Sequence, residues 1–97
     1  MPKIAYFITG GDDTGIKLAL ENLDDEVSII LIQNAVYSAT KSKTDISEAL
    51  KQNKTVYASK VDVELRGIKD LLHDGIKLVD YGEIVDLVFG QDTIVNL

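Results

Sequence analysis

The sequence predicts an α/β fold, a three-layer α/β/α sandwich around a mainly parallel sheet of about five strands. Short apolar runs alternate along the chain with longer segments whose apolar residues recur at helical spacing. These runs are almost continuously aliphatic, which is typical of strands covered on both faces. No linker, low-complexity segment or internal repeat interrupts the pattern, so we expect residues 1–97 to form a single domain.

Two predicted strands, each followed by a helix, account for the first part of the chain. Residues 4–8 form an apolar run that ends at two glycines, where the chain turns. Residues 13–23 carry apolar side chains at near-helical spacing, and the acidic residues at the start of this segment favour a helix N-terminus. The second strand spans residues 27–32. Asn34 is then expected to cap a helix that continues to Ala39.

Capping patterns predict the helices in the middle of the chain. Residues 45–52 open with Asp-Ile-Ser-Glu, a variant of the capping box, and should form a short helix. The β-prone segment 55–58 is the third strand. Residues 59–72 open with Ser-Lys-Val-Asp, again a capping-box pattern, and continue with helical periodicity, although Gly67 is expected to bend or end that helix.

The last part of the chain predicts a fourth strand at residues 76–79, a helix at 80–89 and a terminal strand at 93–95. In parallel α/β sheets, ligands and partners gather beyond the carboxyl ends of the strands. Six polar residues follow the predicted strands and are our candidates for organising this edge of the sheet or an interface. They are Gln33, Asn34, Asp62, Arg66, Asp80 and Tyr81.

Composition and charge restrict the possible functions. The formal net charge of -6 opposes direct nucleic-acid binding, because Lys and Arg supply most of the affinity for phosphates. The first apolar run is too short for a signal peptide or a membrane span, so we expect a cytoplasmic protein with no membrane contact. The chain contains no cysteine, which removes thiolate chemistry and persulfide carriage from its own residues.

Several acidic and polar patterns admit a catalytic interpretation, but each is better explained as structural. The glycine-rich loop 9–15 could cradle an anion, yet it lacks the Walker ending and carries two repelling carboxylates. Asp12 and Asp13 could hold a cation, and Asp80 with Glu83 could act as an acid and a base, but acids at helix starts favour capping. His73, the only histidine, has no serine elbow to complete a triad. We therefore predict no catalytic, cofactor-binding or metal-binding residues.

Three segments, taken in order, resemble the DsrH/TusB family of the DsrE-type sulfur-relay proteins. Residues 29–39 resemble the family's aliphatic strand, polar pair and alanine-rich helix. Val-Tyr-Ala at 56–58, followed by Asp62 and Arg66-Gly67, resembles a second family stretch, and residues 76–87 resemble a third. The chain departs from the family at Asn34-Ala35, where an acidic residue and glycine are usual, and it lacks the family's C-terminal tryptophan.

The resemblance implies a supporting subunit in a cytoplasmic relay that passes sulfur as a protein persulfide. Such a relay serves 2-thiolation of the tRNA wobble uridine or intracellular sulfur oxidation. In this family the subunit assembles with DsrE-like and DsrF-like (TusD/TusC-like) partners, one of which owns the active cysteine. Two other hypotheses stay open: a stand-alone homo-oligomeric binding module of the same fold, and a small enzyme that uses its carboxylates or His73, with or without a metal.

Overall fold

The computed structural model describes residues 2–97 and contains five strands and four α-helices, with two short 3-10 helices. The strands are β1 (Lys3–Ile8), β2 (Glu26–Leu31), β3 (Thr55–Ser59), β4 (Lys77–Val79) and β5 (Thr93–Asn96). The α-helices are α1 (Thr14–Glu21), α2 (Thr44–Lys51), α3 (Lys60–Leu65) and α4 (Tyr81–Phe89), and the 3-10 helices span Gln33–Ala39 and Lys69–Leu71. No helix within these residues is long and apolar enough to cross a membrane.

All five strands pair in parallel in the order β4-β3-β2-β1-β5, which confirms the predicted fold class. The first three crossovers move in one direction across the sheet, whereas the last returns from one edge to the other. Because parallel crossovers are right-handed, a reversal of direction places the connecting helix on the opposite face. This rule explains why α4 lies on the opposite face of the sheet from α1, α2 and α3.

The two faces of the sheet carry hydrophobic clusters of unequal size. The larger cluster, under α1, α2, α3 and the first 3-10 helix, includes the fully buried Ile29, Val56 and Val63. The smaller cluster, under α4, has Ile30 and Ile84 near its centre. A single helix therefore covers the second face, and part of that face stays open.

The predicted third helix is shorter than its periodicity indicated. It ends at Leu65, and Gly67 has a φ of +63°, a left-handed conformation that suits a helix C-terminus. The chain then forms the 3-10 helix Lys69–Leu71 and an isolated antiparallel bridge between Thr40 and Leu72. Ile68 and Leu72 after Gly67 still pack on the larger core, whereas Leu71 is exposed, which is why the spacing resembled one longer helix.

Of the four caps predicted after the first helix, two are correct and two are wrong. Ser59 caps α3 by accepting the N–H of Asp62, and Asp80 forms a complete capping box with Glu83 at the start of α4. Asn34 is wrong as a cap, because the 3-10 helix has already begun at Gln33 and Ile32 precedes it. The capping box at Asp45 is also wrong, because α2 begins one residue earlier, after Lys43.

Candidate functional site

The candidate site lies where β2, β3 and β4 end. Each of these strands runs directly into a helical segment, and the carboxyl ends of parallel strands share one edge of the sheet. Gln33 and Asn34 open the first 3-10 helix, Asp62 lies in the first turn of α3, and Tyr81 begins α4. The topology thus brings the segments that follow β2, β3 and β4, which are distant in sequence, to the same edge of the sheet.

Asp62 is the centre of this place. The residue is 6% exposed, and its Oδ2 accepts the backbone N–H of Gln33 and the hydroxyl of Tyr81, both at 2.9 Å. The other oxygen, Oδ1, lies 3.5 Å from Nη1 of Arg66. A buried carboxylate is tolerated when donors and an opposite charge surround it, and Asp62 has both. We call these residues, together with Asn34 and Tyr37, the Asp62 network.

The surroundings of Asp62 stabilise its ionised form. Burial raises the pKa of this carboxyl and is the largest single effect. The hydrogen bonds from Gln33, Tyr81 and Ser59 and the positive charge of Arg66 act in the opposite direction, and together they hold the pKa below its ordinary value. Asp62 is therefore a permanent negative charge at neutral pH and is unsuited to accept a proton from a substrate.

Gln33, whose N–H donates to Asp62, has an unusual backbone conformation. Its φ is +51°, in the left-handed region that non-glycine residues occupy at a cost. Strained backbone of this kind persists where surrounding contacts determine it, and the 2.9 Å hydrogen bond from its N–H to Asp62 is such a contact. The strained residue turns the chain sharply from β2 into the 3-10 helix.

Arg66 joins α3 to the first 3-10 helix. Its Nη2 and Nε donate to Oδ1 of Asn34 at 2.9 and 3.3 Å, and Nη1 donates to the backbone carbonyl of Asp62 at 3.2 Å. The guanidinium carbon also lies 5.8 Å from the centre of the Tyr37 ring, within range of a cation–π interaction. The Asn34 side chain therefore accepts hydrogen bonds from Arg66 instead of capping a helix, the role predicted from the sequence.

Asp80 stands next to the network and has a different task. Its Oδ1 accepts the N–H of Glu83 at 2.7 Å, while Glu83 accepts the N–H of Asp80 at 3.2 Å. This reciprocal pair uses both side chains to cap α4 and so places Tyr81 at the first helical position. Five of the six candidate residues thus share one network, and Asp80 supports it from outside.

Tyr37 belongs to the network although it was not among the six candidates. Asn34 and Tyr37 are three residues apart in a 3-10 helix, which has three residues per turn, so both side chains lie on the same side. Arg66 contacts both of them. The spacing of these two residues was the available sequence signal, but it depends on the helix being of the 3-10 type.

The residues behind the catalytic alternatives have structural partners. Asp12 accepts the N–H of Thr14 at 3.1 Å, and Asp13 pairs with Lys17 at 3.1 Å. Nε2 of His73 donates to the carbonyl of Lys43 at 2.6 Å, which ties two loops together. Among residues 2–97, no three His, Asp or Glu side chains come together as metal ligands do.

Comparison with known proteins places this architecture first in a fold class and then in a family. The structure of the YchN protein from E. coli superimposes with a TM-score of 0.88 over the whole of both chains, at 20% identity. A protein of unknown function from Methanobacterium thermoautotrophicum gives 0.81, also over both full chains, at 17% identity. At these identities the likeness shows the fold alone, a YchN/DsrE-like α/β sandwich with an all-parallel sheet.

Sequence comparison supplies the family. A family model described as DsrH like protein matches residues 12–94. TusB from Buchnera aphidicola subsp. Baizongia pistaciae is 29% identical over 75 residues, which cover 77% of this chain and 79% of that protein. TusB from Photorhabdus laumondii is 30% identical over 59 residues, or 61% and 62% of the two chains. The chain belongs to the DsrH family, is similar to TusB proteins and contains no cysteine.

Proposed function

We propose that this chain is a non-catalytic subunit of a cytoplasmic sulfur-relay complex that serves tRNA wobble-uridine 2-thiolation or intracellular sulfur oxidation. Its partners in this proposal are DsrE-like and DsrF-like (TusD/TusC-like) subunits, one of which carries the persulfide. The observation that carries the proposal is the absence of cysteine from a member of a sulfur-relay family. Persulfide transfer needs a thiolate nucleophile, so the sulfur must travel on a neighbouring chain.

The Asp62 network supports a scaffolding role. Its carboxylate is occupied by internal donors, and Arg66 is shared between Asn34 and Asp62. Hydrogen bonds that converge on a buried carboxylate fix the relative positions of three chain segments. In this proposal the network, with Asp80 behind it, holds the strand ends in the shape that a partner subunit recognises.

Reconstitution tests this proposal directly. The chain is co-expressed with the DsrE-like and DsrF-like proteins of the same genome, and the assembly is measured by size-exclusion chromatography with light scattering. The complex is then charged with labelled sulfur from a cysteine desulfurase, and each subunit is analysed by intact mass spectrometry. We expect a stable hetero-oligomer in which persulfide accumulates on a partner cysteine, and faster sulfur transfer in the full complex than in the partners alone.

Three results would contradict the proposal. A pure homo-oligomer that ignores both relatives would favour the stand-alone binding module. Covalent sulfur on this chain would contradict a supporting role. Activity or thermal stabilisation that appears on addition of divalent cations to the isolated chain would favour the small carboxylate-dependent enzyme.

A further inference from the structure

Helix α4 is apolar on two sides, although it covers only one face of the sheet. Ile84 faces the smaller core and is 4% exposed, with Leu87 packed beside it. Tyr81, Val85 and Phe89, which we call the α4 stripe, are spaced four residues apart and therefore share a face, and they are 47%, 52% and 84% exposed. Helices that are apolar around most of their circumference are normally buried. The stripe is therefore an apolar surface exposed to solvent, of the kind that is usually buried against another chain.

The charges on α4 itself are all negative. The helix and its cap contain Asp80, Glu83 and Asp86 and no Lys or Arg. A groove of about 470 Å³ runs along α4 over the open part of the sheet, and the carboxylates of Glu26, Glu83 and Asp86 line it against a single lysine, Lys3. We call this the acidic groove.

The stripe and the groove meet at Asp86. With 3.6 residues per turn, Asp86 lies about 60° around the helix from Phe89 on one side and about 60° from Glu83 on the other. A partner that covers Phe89 therefore also faces the edge of the acidic groove. Apolar contact and charge are available to the same partner over one continuous surface.

We infer that the α4 stripe and the acidic groove form the docking surface for a different polypeptide whose apolar contact patch is bordered by Lys or Arg. A second copy of this chain is disfavoured, because a two-fold interface through α4 would place acidic groups against identical acidic groups. The inference rests on the proposed function for its choice of occupant, a DsrE-type partner subunit, and it adds where that subunit binds and which chemistry it presents.

Paired variants test the apolar part of the surface. The double variant V85S/F89S removes the stripe's most exposed aliphatic and aromatic side chains, and L23S removes an equally exposed apolar side chain, 73% exposed, away from α4. Binding of each purified variant to the DsrE-like and DsrF-like pair is measured by titration calorimetry, with circular dichroism as the check on folding. We expect V85S/F89S to weaken binding by about tenfold or more and L23S to leave it within about twofold.

A charge variant tests the acidic part and does not depend on the stripe. D86K reverses the charge where the stripe meets the groove, and D74K makes the same reversal at an exposed acid outside α4. We expect D86K to weaken binding by about three- to tenfold at low salt and to flatten the salt dependence. D74K should change neither.

Crosslinking identifies the occupant. A photo-reactive amino acid at position 89 is expected to crosslink to a partner subunit in the complex. A crosslink to a second copy of this chain, or V85S/F89S and D86K that bind the partners as tightly as the wild type, would overturn the inference while leaving the relay proposal standing. Conversely, partners that bind through α4 but carry no sulfur would contradict the relay proposal alone.

Discussion

Asp62 is the most buried charged residue described in the structure, and its removal tests the network. Asp62→Ala leaves the Gln33 N–H and the Tyr81 hydroxyl without their acceptor and Arg66 without its counter-charge. We expect this variant to lower the free energy of unfolding by about 2–4 kcal/mol, measured by urea denaturation at neutral pH. A loss smaller than about 1 kcal/mol would mean that water replaces the carboxylate without penalty.

The pH dependence of stability follows from the lowered pKa of Asp62. A carboxyl whose folded-state pKa lies below its unfolded value stabilises the fold above the unfolded pKa and loses that contribution as the pH falls through the folded one. We therefore expect the stability difference between the wild type and Asp62→Asn to be constant from about pH 7 to pH 5 and to shrink below about pH 4. A difference that grows on acidification would contradict the pKa direction.

Two tyrosines of similar exposure offer a matched comparison. The Tyr81 hydroxyl donates to Asp62, whereas Tyr37 contacts Arg66 through its ring. Tyr81→Phe should lower the free energy of unfolding by about 1 kcal/mol, because it removes one donor from a buried carboxylate. Tyr37→Phe keeps the ring and should stay within about 0.5 kcal/mol of the wild type. Equal effects of the two variants would show that the Tyr81 hydrogen bond contributes nothing.

At the scale of single elements, the capping box of α4 can be compared with the predicted box that did not form. Asp80→Ala removes the acceptor for the Glu83 N–H and should cost about 1 kcal/mol in thermal or urea unfolding. Asp45→Ala changes an acid in the first turn of α2 that makes no capping bond, and its cost should be limited to about 0.3–0.5 kcal/mol from the helix dipole. The reverse order would contradict the assigned caps.

The elements were predictable where one pattern determined them. Aliphatic runs such as residues 27–32 can be satisfied only as buried strands, and Asp80 with Glu83 has the spacing of a capping box and forms one. Asn34 and Asp45 were misassigned because capping residues are also common one or two positions inside a helix start. The length of α3 was overestimated because residues on both sides of Gly67 face the same core, and periodicity does not report a change of direction.

The candidate site was predictable as a place rather than as a set of contacts. Parallel topology sends Gln33, Asp62 and Tyr81 to one edge of the sheet, and this follows from the order of strands alone. The positive φ of Gln33 and the cation–π contact of Arg66 with Tyr37 depend on local backbone geometry that residue types do not specify. The hydrogen bonds and the cation–π contact within the site therefore depend on the tertiary structure and could not be predicted from the sequence.

For the molecule as a whole, the unequal covering of the sheet predicts unequal local stability. β2 lies in the middle of the sheet with apolar cores on both of its faces, while α4 packs only on the smaller core and exposes its stripe. In the isolated chain we expect amide hydrogens of α4 to exchange through openings that cost about 1–3 kcal/mol less than those of β2. Native-state exchange measured by NMR checks this directly.

Exchange in the complex gives the corresponding control. Amides of α4 should gain protection when the partner subunits bind, whereas amides of β2 should change little, since their protection already reflects global unfolding. Equal protection of α4 and β2 in the isolated chain would contradict the predicted difference.

The contacts of Asp62 also order events in time. Gln33 lies 29 residues before Asp62 and Tyr81 lies 19 residues after it, so the two hydrogen bonds can both form only when the crossovers from β2 to β3 and from β3 to β4 have been completed. Closing chain segments of this length loses conformational entropy before the contacts between their ends can stabilise the chain. We therefore expect these two hydrogen bonds to be absent from the folding transition state. If the Tyr81 hydrogen bond forms after the transition state, Tyr81→Phe should accelerate unfolding and leave the folding rate almost unchanged, as measured by stopped-flow kinetics in urea.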